Sequence, residues 1–489
     1  MRACNRCGGV IYCPQGGGVS ASADTIAEAV CTGFIKALQS AAGNVLLRDA
    51  TGINDSSPFF VLYVFGDYMY VFERMADPEV RKAFLVKKEL HAAPNDEEFD
   101  FLRSYLLSDE CTEDIRRLQS GDYFLAVPRR FRIKKIASTR RRICYSFPLK
   151  DKILLKLMTF VLMDYDDIFS DSLYSFRKSN NHRNFFRKLR RADFFRKKYV
   201  LKTDIHAYGE SVDQDILLDI LRPIFEHDPD FYSFLNWFMK RNLFYEKGKL
   251  CHERVSIIPG TPIGSFFNNV YLMELDRYLE AHSRLYMRYA DDIAVFTDTR
   301  EEAEELSAYV RDIVRKQKLE INEEKTKIHE PGESVSLLGI RLSPGEFDIA
   351  PESVRKITFK LKHKRNKLLK YKRKYKMTDE ESLARGIHFV NQYFFGKQDD
   401  NSDLNWAVWA YGIINTTKTL HFIDSTAQDV LRSIGSGKLG DARYRITYED
   451  LTKAGYRSLV HDYYHHESPD HGACTQSLCG VHPSDTNSS

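Results

Sequence analysis

The spacing of apolar and polar positions changes repeatedly along the chain, and each change marks an element. Ile26, Val30, Phe34 and Leu38 recur at helical spacing and predict a helix over residues 23–47. The aromatic run 58–72 is broken by Gly66-Asp67 and is too short to span a bilayer, so it is assigned to core. Residues 77–107 are amphipathic and helical, with an acidic interruption at Asp96-Glu97-Glu98, and 153–161 predict a further helix. Residues 199–205 read as a buried strand carrying Asp204 near its end. Residues 285–296 read as two β-type runs flanking Ala290-Asp291-Asp292. A Gly/Pro-rich turn at 258–265 leads into an apolar helix over 266–275. A long helix is expected from Glu352 to Lys376, and apolar faces at 389–395, 406–414 and 423–431 supply a helical bundle. Residues 467–489, rich in Ser, Asp, Gly and Pro, are expected to be disordered.

A chain of 489 residues has room for two to four structural units, and 43% hydrophobic with 29% charged residues indicate a soluble globular protein. The net charge of +4 says little about partners. Its distribution says more. Arg129, Arg130, Arg132, Lys134, Lys135, Arg140, Arg141 and Arg142 precede the helix at 153–161, and a basic and aromatic cluster follows from Phe176 to Lys198. From Glu352 to Lys376 Glu352 is the lone acid among many Lys and Arg, so salt-bridge pairing is not available there. A basic run is by default a solvated face, but this one reads as a helix gripping nucleic-acid phosphates, with steep salt dependence. Nine scattered cysteines form no disulfide framework and no secretory signal is visible, so a reducing cytoplasm and no membrane partner are inferred. Cys4, Cys7 and Cys13, and separately His471, Cys474, Cys479 and His482, are conceivable zinc donors. Cys4 and Cys7 have ligand spacing but no second pair at comparable spacing stands nearby, the spacing of the second set is unusual, and a Gly-rich leader and a disordered tail are the preferred readings.

Candidate chemistry centres on carboxylates. Asp291 and Asp292 are adjacent at a turn and repel each other unless solvent or a cation screens them. Alone they are also compatible with an ordinary solvated turn. Asp204 at a strand end changes that balance, because a strand-end Asp with a hairpin Asp pair is the hard-oxygen donor set of a two-magnesium phosphoryl-transfer site.

The blocks that carry a family resemblance stand in order: Pro148-Leu149-Lys150-Asp151-Lys152, Ser172-Leu173-Tyr174-Ser175-Phe176-Arg177, the Asp204 strand, the 258–265 turn, Tyr289-Ala290-Asp291-Asp292, the 319–327 block, and Leu337-Leu338-Gly339-Ile340. Over about residues 129–342 the chain resembles the bacterial reverse transcriptases of the group II intron and retron lineage. The resemblance implies an α+β right-hand polymerase fold. Fingers and a palm with an antiparallel sheet occupy 126–345, a basic helical thumb and C-terminal bundle 346–466, a mainly helical N-terminal accessory region 1–125, and the tail 467–489. It further implies RNA-directed DNA polymerase activity, with two Mg2+ ions held by Asp204, the Ile205 carbonyl, Asp291 and Asp292, and with Lys325 near the leaving pyrophosphate. Arg142, or its neighbour Arg141, would meet the nucleoside triphosphate, with Tyr208, Gly209, Pro262 and Gly264 lining the nucleotide. Arg177, Lys360, Lys364, Lys367 and Arg373 would face nucleic acid. The implied partners are an RNA template, a DNA product and deoxynucleoside triphosphates, with a homo-oligomer possible.

Two departures bear on substrate. Gly209 stands where the family usually has an aromatic that blocks a ribose 2′-hydroxyl, while the preceding Tyr208 is bulky. Sugar choice then depends on whether Tyr208 swings into the gap. Ile263 stands where many relatives carry Gln. Residues 409–420 and 454–461 resemble C-terminal blocks of antiphage defence-associated, abortive-infection-type reverse transcriptases, which implies a defence role with a dedicated noncoding RNA. Two alternatives stay open: a template-independent or protein-primed nucleotide polymerase, for which Tyr463 and Tyr464 offer hydroxyls, and a non-catalytic nucleic-acid-binding scaffold.

Overall fold

Four antiparallel strands carry the centre of the fold, in the order Leu285–Tyr289, Asp292–Thr297, Tyr199–Asp204 and Lys327–His329. Successive residues of a strand point to opposite faces, so the run of buried residues from Ile293 to Thr297 means that both faces are covered. Helix Arg300–Lys316, opened by a Thr299/Glu302 capping box, packs on this sheet and buries Leu306, Val310 and Val314. Helix His182–Arg191 sends Phe185, Phe186 and Leu189 into the same core as Met287, Ala294 and Phe296.

This computed structural model describes residues 70–89, 96–134, 141–178, 180–191, 196–254, 256, 259–396, 405–440 and 444–465, together with four two-residue strands nearer the N-terminus. The chain divides into two units, Met1–Arg74 and Met75–Ser489. In the first, Arg2–Ala3 pairs with Val10–Ile11 and Val45–Leu46 pairs with Tyr63–Val64, all antiparallel. Val45–Leu46 is therefore strand where a helix over 23–47 was expected. The rest of that stretch, most of the aromatic run 58–72 and all the terminal Cys and His zinc candidates lie outside the described residues.

In the second unit, helices Pro78–Glu89, Glu97–Leu106 and Asp109–Ser120 precede a second four-stranded sheet. The acidic interruption is a cap: the Asp96 carboxylate accepts the backbone N–H groups of Glu98 and Phe99 and starts a helix. These helices are tied to helix Leu149–Leu162. Lys150 Nζ lies 2.6 Å from Asp114, and the Asp151 carboxylate accepts from the Tyr123 hydroxyl and the Ala126 N–H. That sheet pairs Arg129–Lys134 with Arg141–Ser146 and adds Leu243–Glu246 and Lys249–His252 through a parallel pairing of Arg129 with Tyr245. Phe131, Ile133, Tyr245 and Leu250 are exposed, whereas Tyr145 and Phe244 are buried.

The apolar helix expected over 266–275 is two helices, Gly264–Tyr271 and Met273–His282, because Leu272 leaves helical geometry at φ −111°, ψ 17°. Beyond the central sheet, Val335–Leu337, Ile340–Ser343 and Glu346–Ile349 form a three-stranded sheet. The basic helix Pro351–Tyr375 follows, with Pro351 at its first turn and Ile357, Leu361, Leu368 and Leu369 buried against a C-terminal bundle. Helices Asp379–Phe395 and Lys418–Ser436 make most of that bundle. Its end is held by Asp424, a buried carboxylate that accepts from the Tyr456 hydroxyl and the Leu459 N–H. Among the described residues no helix is long and apolar enough to cross a membrane.

Candidate active site

The turn between strands Leu285–Tyr289 and Asp292–Thr297 has two residues, since Tyr289 pairs directly with Asp292. Its first residue, Ala290, sits at φ 55°, a left-handed conformation unusual for a non-glycine residue. The tightness of this turn puts Asp291 at its tip and Asp292 at the head of the return strand. Across the next ladder Asp292 is in register with Asp204, and the Ile205 N–H donates to the Asp291 carbonyl at 3.2 Å. The segment after helix Arg300–Lys316 closes the third side. His206 N–H donates to the Glu320 carbonyl, Asn322 N–H to the Asp204 carbonyl, and the turn Glu323–Lys325 brings Lys325 Nζ to 2.8 Å from Asp204 Oδ2. The structure thus gathers Asp204, Ile205, Asp291, Asp292 and Lys325 in one place.

The charges there are strained. Burial, reinforced by the negative charge of Asp204, raises the Asp291 carboxyl, while Arg142 and Lys325 lie close enough to oppose that rise. Burial and then the neighbouring Asp291 push Asp292 up to about 6. Burial works against the Lys325 ammonium, but its bond to Asp204 outweighs that and holds it above its ordinary value. Among the described residues no three His, Cys, Asp or Glu side chains already stand in metal-ligand geometry; Lys325 occupies one oxygen of Asp204 instead. The donor set still fits a hard divalent cation. Three carboxylates lie close enough for their charges to act on one another, and burial raises two of them, a charge that such a cation relieves.

Residues 133–342, which span this whole constellation, match the family described as reverse transcriptase (RNA-dependent DNA polymerase). The chain carries a reverse transcriptase domain. Among solved structures, telomerase from Candida albicans in complex with a fragment of telomeric RNA is 12% identical, with 69% of this chain and 62% of that chain covered and a TM-score of 0.37. Apo telomerase from Candida tropicalis, truncated of its C-terminal domain, is 12% identical over 67% and 60%, with a TM-score of 0.35. The chain spans about three fifths of the length of those telomerase chains. No curated protein matches it.

Within the reverse transcriptase domain the nucleotide-side candidates have different fates. Arg142 is exposed on strand Arg141–Ser146, close enough for its charge to act on Asp291. Pro262 and Gly264 form the turn that starts helix Gly264–Tyr271, where the Gly264 N–H donates to the Thr261 carbonyl. The Tyr145 N–H fastens this loop to strand Arg141–Ser146 through the Pro259 carbonyl. Tyr208 does not swing into the space beside Gly209: it is buried and its hydroxyl donates to the Asn268 carbonyl at 2.6 Å. A Cβ on Gly209 would meet nothing within 4 Å.

Arg177 is a correction among the nucleic-acid candidates. Its side chain is 3% exposed and its guanidinium grips Asp166 through two nitrogens, so the arginine is an internal tie and not a phosphate contact. On helix Pro351–Tyr375, Lys360 and Lys364 lie half-buried over the rings of Tyr393 and Phe389, at 4.2 and 4.6 Å, whereas Lys367 and Arg373 are exposed.

Sequence reasoning missed the layer beneath the hairpin that carries Asp291 and Asp292. Arg288 is fully buried, pairs with Asp276, and donates to the carbonyls of Asn269 and Ala290; Tyr286 also donates to Asp276. Ser175 accepts the Ala290 N–H and donates to Asn269. The available signal was an arginine inside an otherwise apolar strand, which requires a buried acid as partner.

Proposed function

We propose that this protein is an RNA-directed DNA polymerase that adds deoxynucleotides by in-line attack of a primer 3′-hydroxyl on the α-phosphate of a bound nucleoside triphosphate, releasing pyrophosphate. The observation that carries this reading is the register of the buried Asp204 opposite Asp292 with Asp291 at the adjoining turn, burial raising the carboxyls of Asp291 and Asp292. Asp204, Asp291, Asp292 and the Ile205 carbonyl would hold two magnesium ions, which when bound neutralise charge on the phosphates and on the attacking oxygen.

The chain's own residues do the rest. Lys325, now on Asp204, is the cation placed to turn to the departing pyrophosphate, and Arg142 draws the triphosphate toward the hairpin. Lys367 and Arg373 face a nucleic-acid duplex from the thumb helix. Gly209 leaves room for a ribose 2′-hydroxyl because Tyr208 is anchored elsewhere, so ribonucleotides enter the same site. The template is a dedicated noncoding RNA and the role antiphage defence, a reading supported by the likeness of residues 409–420 and 454–461 to defence-associated reverse transcriptases.

The deciding experiment offers purified protein, with its co-purified nucleic acid, each labelled deoxy- and ribonucleotide with and without RNase, beside an Asp291→Ala/Asp292→Ala variant. Incorporation lost with RNase and in the variant supports the proposal. RNase-resistant product would indicate untemplated or protein-primed addition, and no metal-dependent incorporation would leave only nucleic-acid binding.

A further inference from the structure

The catalytic hairpin is contacted from outside the palm. Tyr289, the residue before its turn, lies between two rings: Phe176, with centroids 6.3 Å apart, and His182, 5.9 Å away and edge-on at 77°. Edge-to-face packing of this kind is directional, so the angle of the imidazole bears on where the tyrosine ring sits. His182 opens helix His182–Arg191 and does not choose its own angle. The Trp409 indole N–H donates to its Nε2, and the two rings are 5.8 Å apart. Trp409 belongs to helix Trp406–Tyr411 of the C-terminal bundle, more than a hundred residues beyond the hairpin.

Two arginines fasten the helix that carries His182 to that part of the bundle. Arg183 donates to the Val408 carbonyl and Arg190 to the Ile413 carbonyl, Arg190 also lying over the Phe347 ring. A single apolar core runs beneath, joining Met287 and Phe296 of the palm to Ala407, Ala410 and Ile413 of the bundle, with Tyr289 and Trp409 packed at its edge. Burial keeps the imidazole neutral at ordinary pH, which leaves Nε2 free to accept the indole proton.

We propose that His182 and Trp409 are positioning residues for nucleotide addition: the C-terminal bundle sets the catalytic hairpin through the indole–imidazole hydrogen bond and the edge-on contact of His182 with Tyr289. Neither residue touches substrate. Their effect passes through Tyr289 to Ala290 and Asp291, and a bundle that shifts on binding RNA or a partner moves the aspartates with it. The inference rests on the polymerase reading above.

The test compares four variants in single-nucleotide incorporation on a primer-template, His182→Ala serving as the reference for His182→Gln. Trp409→Phe keeps an aromatic ring but deletes the donor. His182→Gln keeps an acceptor on a side chain of similar reach. Arg190→Ala loosens the same helix from the bundle without touching Tyr289. Trp409→Phe is expected to lower kcat on the order of ten- to a hundredfold, with KM for the nucleotide and duplex affinity within about threefold, since misplacement acts on chemistry. His182→Gln should retain more activity than His182→Ala, and Arg190→Ala should keep kcat while lowering the melting temperature. Fluorotyrosine at position 289 gives a readout independent of turnover: its 19F signal should shift in Trp409→Phe and hold still in Arg190→Ala. An unmoved 19F signal, an unchanged kcat in Trp409→Phe, or equal losses in Arg190→Ala and Trp409→Phe would each overturn the proposal. If the parent protein incorporates nothing, the polymerase reading fails, while the 19F comparison still decides whether the bundle sets Tyr289.

Discussion

Arg288 and Asp276 meet in a bidentate ion pair sealed from water: Nε is 2.6 Å from Oδ1 and Nη2 is 2.5 Å from Oδ2, with 0% and 1% of the two side chains exposed. The same guanidinium reaches the Asn269 and Ala290 carbonyls, so the pair is a floor for the catalytic turn. Removing one partner strands the other's charge in the core. Arg288→Met and Asp276→Asn should each lose about 3–5 kcal/mol in denaturant unfolding, and the double variant should lose less than the sum.

Asp291→Asn keeps the hairpin's shape and removes a charge. It should lower single-nucleotide incorporation by on the order of a thousandfold or more, because charge neutralisation carries most of phosphoryl transfer. The same change relieves repulsion with Asp292 and Asp204, so the metal-free protein should melt at the same temperature or higher. Lys325→Ala, which takes away the cation paired with Asp204 but no carboxylate, should lower incorporation less than Asp291→Asn. Rapid-quench kinetics and metal-free melting curves check all three points.

Gly209 has open space where a Cβ would go, and its φ lies outside the left-handed region, so it accepts a side chain without strain. Gly209→Phe should reduce kcat/KM for ribonucleotides about 10–100-fold relative to deoxynucleotides, the scale on which a steric pocket discriminates. Steady-state comparison of the two sugars reads this directly. Equal discrimination in parent and variant would place the sugar away from Gly209.

Burial, with the charge of Arg183 adding to it, holds His182 at about 4 against an ordinary 6.5. Its folded-state value is depressed, so the folded protein excludes a proton that the unfolded chain accepts below about 6.5. The associated stability is complete above pH 6.5 and is lost as pH falls toward 4. Between pH 7 and 4 the parent should lose about 2–3 kcal/mol more unfolding free energy than His182→Gln, measured by denaturant titration at each pH.

Lys367 and Arg373 are exposed, whereas Arg177 is spent on Asp166. Lys367→Ala with Arg373→Ala should weaken duplex binding across sequences and reduce the salt slope by about 2, one released counterion for each charge lost. Arg177→Ala should leave that slope alone and lower thermal stability. Binding titrations from low to moderate salt distinguish the two kinds of arginine.

The residues that carry the proposed chemistry were legible because each sits in a local pattern. Asp204 ends an apolar strand, Asp291 and Asp292 interrupt two others, and Lys325 stands in a block only a few residues after Glu320 and Asn322, whose backbones close on the site. Charged residues were harder to assign. Arg177 and Arg373 look alike in one dimension, and what separates them is that Asp166 folds back onto the first while no acid neighbours the second on its helix. Tyr208 was read as a movable bulk beside Gly209; its hydroxyl is held by a carbonyl 60 residues away.

The strand that ends in Asp204, the turn that presents Asp291 and Asp292 and the basic helix Pro351–Tyr375 were determined by the sequence itself. They depend on side-chain periodicity, turn chemistry and net charge over short spans, all local properties of a chain. The pairing of Arg288 with Asp276, the burial of Arg177 and the contact of Trp409 with His182 were decided by the tertiary structure. A buried polar group takes whichever partner the fold brings within hydrogen-bond reach, and that partner stands far off along the chain, at a position no local pattern specifies.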